Sequence, residues 1–240
     1  MNEKTVRARS EHSEWPTTAY NSQSCECVQS GRQDGDTKDK EIVHRQFRAS
    51  IDDIDYSIAN DAKSVDEIFR LRYRVLVNSD HYFVGNDTHR IMDKYDFLDN
   101  TLLIQAYHKA RLVGSVRLVI NGEAGIPSDG YFDIREALRR MDPSTSIILD
   151  STIADLNRIV VEREFRNNQI GYNLMTIGHL LGIDNGAKYF IGISNPKTMN
   201  LFINRLGWQQ VGEQQFDSVH GVPYIPIIGV ASRVKVPRCG

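Results

Sequence analysis

The sequence predicts an α+β fold in which a mixed, largely antiparallel sheet is flanked by helices. Two observations carry this. Thr101 to Ala106 and Leu112 to Ile120 are β-rich runs separated by His108-Lys109-Ala110-Arg111, the pattern of an antiparallel hairpin. Further on, the strand-like runs Leu156 to Val161 and Lys188 to Ser194 are separated by a long helical stretch, Ile170 to Asp184, which places helices against the sheet.

The remaining elements follow in order. A strand is expected near Tyr56 to Ala59, followed by Ser64-Val65-Asp66-Glu67, which reads as a Ser-x-x-Glu capping box opening a helix. Val65, Ile68, Phe69 and Val75 recur near helical spacing, and the helix is expected to end near Asn78. Ser79 to Asp99 is polar and aromatic and reads as a long loop over the surface or over a site. Ile134 to Met141 is a short helix closed by Asp142-Pro143, because the residue before a proline is disfavoured in the helical region. Asn185-Gly186 supplies the left-handed stop after Asp184, Thr198 to Leu206 is a final helix, and Val222 to Val230 a closing strand.

Length and composition set the bounds. The 240 residues, 40% of them hydrophobic, suffice for one domain with a real core. Residues 1–48 are dominated by polar and charged side chains without apolar periodicity, so they are expected to form a disordered or weakly ordered leader, with residues 49–240 as the folded domain. A formal net charge of −2 offers no basic field for nucleic acid. No apolar run approaches a membrane span and the first 30 residues lack a signal-like apolar core, so a cytoplasmic location is expected. Cys25, Cys27 and Cys239 lie near the two ends, which argues against a disulfide-dependent fold; Cys25 and Cys27 have no partners at metal-ligand spacing, so no metal site is expected.

The segment with the clearest chemical content runs from Asp155 to Gly171. Val161-Glu162-Arg163-Glu164-Phe165-Arg166-Asn167-Asn168-Gln169-Ile170-Gly171 is an apolar strand end turning sharply into a helix. A helix N-terminus presents unpaired N–H groups and partial positive charge, so an anion such as the phosphate of a pantetheine arm or a nucleotide is favoured there, with Arg166 placed to add a charge-assisted hydrogen bond. Taken alone, such a turn is also compatible with simple packing.

Further motifs at the expected distances resemble the GNAT superfamily of acyltransferases. Asn195, Phe202, Gly207 and Trp208 fill the places of its second signature. Phe202 stands where the superfamily often has Tyr, and core packing is an alternative for both aromatics. In the turn, Gln169 occupies the first glycine position of the common Arg-x-x-Gly-x-Gly pattern and only Gly171 matches the second. A side chain there should crowd a pyrophosphate, which favours an acyl carrier protein over coenzyme A. The series Leu71-Arg72-Tyr73-Arg74-Val75-Leu76, Asp93-Lys94-Tyr95-Asp96, Gly114-Ser115-Val116-Arg117-Leu118 and Asp155-Leu156-Asn157-Arg158 resembles the autoinducer synthase branch, and within it the N-acyl amino acid synthases.

The resemblance implies a GNAT-like sheet splayed at its centre and an N-acyltransferase without a covalent enzyme intermediate. It moves a fatty acyl group from an acyl carrier protein thioester to the amine of an amino acid, with the acyl-phosphopantetheine thioester as co-substrate and no tightly bound cofactor. Its site residues here are Asp155, Arg158 and Glu162 as catalytic candidates, Arg72, Asp93, Asp96 and Arg117 around the acceptor, and Val160, Val161, Arg166, Gln169, Ile170, Gly171, Asn195 and Phe202 around the donor. Leu102, Ile104, Val116, Leu118 and Ile193 are candidates for an acyl channel, with ordinary core packing the favoured role for any one of them, and backbone N–H groups from Val160 to Glu162 are candidates for the oxyanion. Acyl-homoserine-lactone synthesis from S-adenosylmethionine, acetyl-coenzyme A-dependent acetylation and a non-enzymatic acyl sensor remain as alternatives.

Overall fold

The computed structural model describes residues 47–141, 153–217 and 221–233; the leader to Gln46, the three cysteines and the expected Asp142-Pro143 stop lie outside them. Nine strands, β1 (Arg48–Ile51), β2 (Ile54–Ile58), β3 (Thr101–His108), β4 (Arg111–Ile120), β5 (Ile153–Val161), β6 (Tyr189–Ser194), β7 (Gln209–Gln210), β8 (Gln215–Phe216) and β9 (Pro223–Val230), form one sheet with the order β1-β2-β3-β4-β5-β6-β9-β7, and β8 pairs with β9. Every pairing is antiparallel except β5 with β6.

That parallel pairing covers only Ile153↔Tyr189, Ala154↔Phe190 and Asp155↔Ile191, after which the two strands diverge. The sheet is therefore splayed at its centre, and the second half of β5 has β4 as its ladder partner while its other side faces the gap. Parallel neighbours need a long crossover. Here it is α3 (Ile170–Asp184), whose bounds match the expected helix; Gly186 follows it at φ +83°, the left-handed stop expected at its end.

The two faces of the sheet are covered differently. On one, Ile170, Leu174, Met175, Ile177 and Leu181 of α3 pack on Leu102, Ile104, Val116, Leu118 and Leu156 in the largest core cluster. Four of the five acyl-channel candidates are thus sealed in this core; Ile193 is half buried on β6. On the other face, α1 (Ala62–Tyr73) lays Ile68, Phe69 and Leu71 over Leu103, Leu112 and Val160, and α2 (Ile134–Met141) lays Ile134, Ala137 and Leu138 over Val119, Ile153, Ile191 and Ile228. Between the α1 and α2 clusters lies the ion network described below.

Local chemistry corrects several expectations. The helix begins at Ala62 rather than after Ser64, because Asp61 is the N-cap: its carboxylate accepts from Ser64 N–H, and Ser64 Oγ completes the box that Glu67 was expected to close. After Tyr73 the helix continues as a π-helical segment, Arg74–Ser79. The final helix is present as expected over residues 199–206, with its middle, Leu201–Arg205, wound as a π-helix. β1, β7 and β8 were not expected from the pattern; the last two are only two residues long each.

Trp208 fixes how the last turn meets α3. Its fully buried indole Nε1 donates to His179 Nε2 at 2.8 Å, and His179 Nδ1 donates to Met175 O at 3.0 Å, which requires a neutral imidazole. Gly229 lies against the indole, and Gly182 lies so close to Phe190 that an added Cβ would overlap its ring.

Two outcomes follow. Gly182→Ala is expected to destabilise the protein by about 1–3 kcal/mol through overpacking, measured by denaturant unfolding. Burial pushes His179 down to about 4 from an ordinary 6.5, against the Met175 hydrogen bond. The unfolded chain takes up this proton first, so the stabilisation is present above pH 6.5 and is lost as pH falls through about 4. The loss should be on the order of 3 kcal/mol, and His179→Phe should flatten the pH slope of unfolding free energy in that window.

Candidate functional site

The side chains of β4 and β5 on the α1 and α2 face follow the strand period of two, so Ser115, Arg117 and Val119 line up beside Val160, Asn157 and Asp155. The register between these strands slips: Ser115 pairs with Val160 but Arg117 with Asn157, leaving an extra residue in β5. Arg158, at that bulge, has φ +52°. A left-handed non-glycine residue inside a strand is uncommon, and a bulge of this kind re-aims the side chain it carries.

Re-aimed, Arg158 joins four other charged residues that sequence reasoning singled out. Arg117 donates to both oxygens of Asp93 at 2.6 and 3.1 Å and lies 3.0 Å from Asp96; Arg158 donates to Asp93 at 3.1 Å; Arg72 donates to Asp96 at 2.8 Å. Asp93 and Asp96 are delivered by the loop between α1 and β3, where they build a reciprocal cap on the short turn Lys94–Phe97. The expected loop over the site is thus ordered by ionic contacts. Tyr95 lies under Arg117, and Phe83 under Arg158 with the guanidinium 4.9 Å from the ring centre.

Behind the network sits Asp155, fully buried, one oxygen accepting from Ser128 N–H at 2.7 Å and the other from Asn157 Nδ2 at 2.7 Å. Asn157 in turn accepts from Arg117 Nε at 2.8 Å. A continuous path therefore runs Asp155, Asn157, Arg117, Asp93, Arg158. Asn157 was not singled out from sequence, although its place two residues after Asp155 on a strand puts both on one face.

The electrostatics are lopsided. Burial pushes the Asp155 carboxyl above the usual carboxylate range, outweighing its hydrogen bonds and the charge of Arg117. Asp93 is lowered to about 2: burial opposes this, but Arg117 and Arg158 dominate. Burial lowers Arg72 to about 10, still cationic at neutral pH, with Asp96 partly compensating. Arg72 is completely buried, yet its Nε and Nη2 have no hydrogen-bond partner among the described residues. A buried guanidinium with one edge unused is costly, and that edge has the geometry that receives a carboxylate in a bidentate pair.

Other predicted residues lie elsewhere. Glu162 is held by Arg74 at 2.9 Å and by Arg111, not by the Asp93 network. Its N–H donates to Val113 O at 2.9 Å. By strand alternation the Val161 N–H then faces the opposite side, toward the gap left by β6, so of these two donors only that of Val161 is aimed at the cleft. Arg166 binds Asp80 and Val161 O. Gln169 is the N-cap of α3 at φ +58°, with Ile170 buried and Gly171 opening the helix. Asn195 turns the chain after β6, accepting from Lys197 N–H at 2.8 Å. Phe202 is buried against Trp208 at 5.2 Å between ring centres, a core position. Among the described residues no group of three or more His, Cys, Asp or Glu could hold a metal ion, and no helix is long and apolar enough to cross a membrane.

The family profile for the N-acyl amino acid synthase FeeM matches residues 67–228, more than half of the chain. The structure of FeeM, from uncultured soil microbes, aligns with a TM-score of 0.59 at 15% identity, covering 75% of this chain and 92% of that one. The AHL synthase LasI aligns with 0.57 at 14% identity over 74% and 90%, and Escherichia coli ElaA with 0.53 at 15% identity over 73% and 98%. At these identities the structural likeness establishes the fold. A search of the curated proteins finds no sequence match. The splayed sheet and the profile match over residues 67–228 together establish that the chain belongs to the FeeM family of N-acyl amino acid synthases.

Proposed function

We propose that this acyltransferase moves a long-chain fatty acyl group from the phosphopantetheine thioester of an acyl carrier protein to the amine of an amino acid, giving an N-acyl amino acid. The observation that carries the reading is the buried, unpartnered Nε/Nη2 edge of Arg72 beside Arg117 and Arg158. In direct ionic contact, three guanidiniums, Arg72, Arg117 and Arg158, face two carboxylates, Asp93 and Asp96, and a free α-carboxylate on the acceptor balances them.

In this reading the acceptor carboxylate pairs with Arg72, and its amine points along β5 toward the gap between β5 and β6. The thioester enters that gap, with its phosphate at the α3 turn. The amine lone pair attacks the carbonyl carbon, the carbonyl oxygen takes the negative charge facing Val161 N–H, and collapse expels the pantetheine thiolate. Before attack, Asp155 in its ionised form takes one proton from the acceptor's ammonium through water, and on collapse the extra proton on the nitrogen passes to the expelled thiolate. Arg158 and Asp93 hold the acceptor's approach. Gln169 favours the carrier protein as donor: at φ +58° it occupies a conformation natural to glycine and adds a side chain where a diphosphate would lie. Residues 49–240 constitute the transferase domain.

The decisive experiment incubates the protein with long-chain acyl carrier protein, the twenty amino acids and S-adenosylmethionine and identifies products by mass spectrometry. Acylated amino acids are expected; a lactone product, or turnover with acetyl-coenzyme A alone, would overturn the proposal. Asp155→Asn should lower kcat about 10²-fold or more and remove an acid limb lying above the ordinary carboxylate range. Arg72→Lys, which keeps the charge but loses the planar edge, should raise the acceptor KM by about 10- to 100-fold with a smaller change in kcat.

A further inference from the structure

Arg166 stands at the turn into α3, where the donor phosphate is placed in the reading above, and its fork is already filled. Nη1 and Nη2 donate to the two carboxylate oxygens of Asp80 at 3.0 and 2.9 Å, while Nε donates to Val161 O at 3.0 Å, fixing the guanidinium against the end of β5. Asp80 comes from the end of the π-helical segment after α1, 86 positions away in sequence. The first turn of α3 contains no acidic side chain of its own, so the negative charge near this helix end arrives from that distant segment.

A carboxylate in a two-pronged pair presents two oxygens as a phosphate does. The pair is also reachable, with Arg166 and Asp80 exposing 36% and 20% of their side chains. We infer that Asp80 is a resident competitor for the donor phosphate: it occupies the Arg166 fork in the free protein and yields it when phosphopantetheine binds. The inference rests on the donor reading above. Its consequence is a selectivity threshold, because an anion must displace a tethered carboxylate before it can use Arg166. Small phosphorylated molecules are thereby held weakly, and a phosphate that arrives with additional protein contacts is favoured. No bond is made or broken in the exchange; Arg166 keeps its Nε contact to Val161, and Asp80 passes to water.

Calorimetric titration of the full chain with 4′-phosphopantetheine and with pantetheine tests this. Asp80→Asn should bind phosphopantetheine about two- to fivefold more tightly than the natural protein, the range expected for releasing a partly exposed ion pair, and pantetheine equally. Asp80→Ser should act in the same direction. Arg166→Gln and the Asp80→Asn/Arg166→Gln double variant should bind both ligands alike. Unchanged or weakened phosphopantetheine binding in both Asp80 variants would overturn the inference, as would an equal gain for pantetheine or the absence of any phosphate-dependent binding. Turnover is not read, so a failure to detect N-acyl products sinks the transferase proposal and leaves this result interpretable.

Discussion

Arg117 is the charge around which the functional half of the molecule is organised. It rises from β4 into a space with almost no solvent, beside the like charges of Arg72 and Arg158, and four groups neutralise or hold it: Asp93 and Asp96 from the loop, Asn157 from β5, the Tyr95 ring beneath. A buried cation tolerates such a place only when it is compensated and hydrogen-bonded. Satisfying it orders the loop before β3, ties that loop to α1 through Arg72, and recruits the bulged Arg158. The proposed acceptor region is thus a by-product of one strand residue's electrostatic demands.

Those demands also explain why two kinds of order coexist on a single sheet. The α3 face is apolar and close-packed, with glycines that let the helix approach Phe190 and Leu156. The opposite face has two apolar clusters with an ionic seam between them. The dry face holds the helix in place; the seam leaves polar edges unsatisfied, as binding surfaces do. The bulge belongs to the same division, because it turns Arg158 into the seam while strand pairing continues on both sides of it.

Much of this was legible in the chain. α3 was read to the residue because it rests on local signals, apolar periodicity and a Gly stop, and the start of α2 was read in the same way from its apolar pattern. The five charged residues of the Asp93 network were singled out through the resemblance of the series that carries them to the autoinducer synthase branch, and the Arg166 turn from its place at a helix start. What was not legible depends on distance in sequence or on competition between near-equal local choices. Asp61 and Ser64 are both good caps, and only the folded backbone decides that Asp61 takes the terminal place. Glu162 looked like a catalytic carboxylate beside Asp155, but Arg74 and Arg111 hold it in a separate cluster. Asn157 is an unremarkable strand residue until Arg117 and Asp155 stand on either side of it, and nothing near Asp80 announces Arg166.

The three-pair contact between β5 and β6 bears on how the molecule is assembled. From β1 to β5 each strand pairs with its predecessor in the chain, whereas β6 joins only after the whole of α3 has crossed the sheet. Arg72, Asp93, Asp96, Arg117, Asp155 and Arg158 all precede that crossover. As the chain leaves the ribosome, the charges proposed to hold the acceptor are complete before the cleft proposed for the donor exists, so the two halves of the proposed reaction centre are built in sequence, the second upon the first.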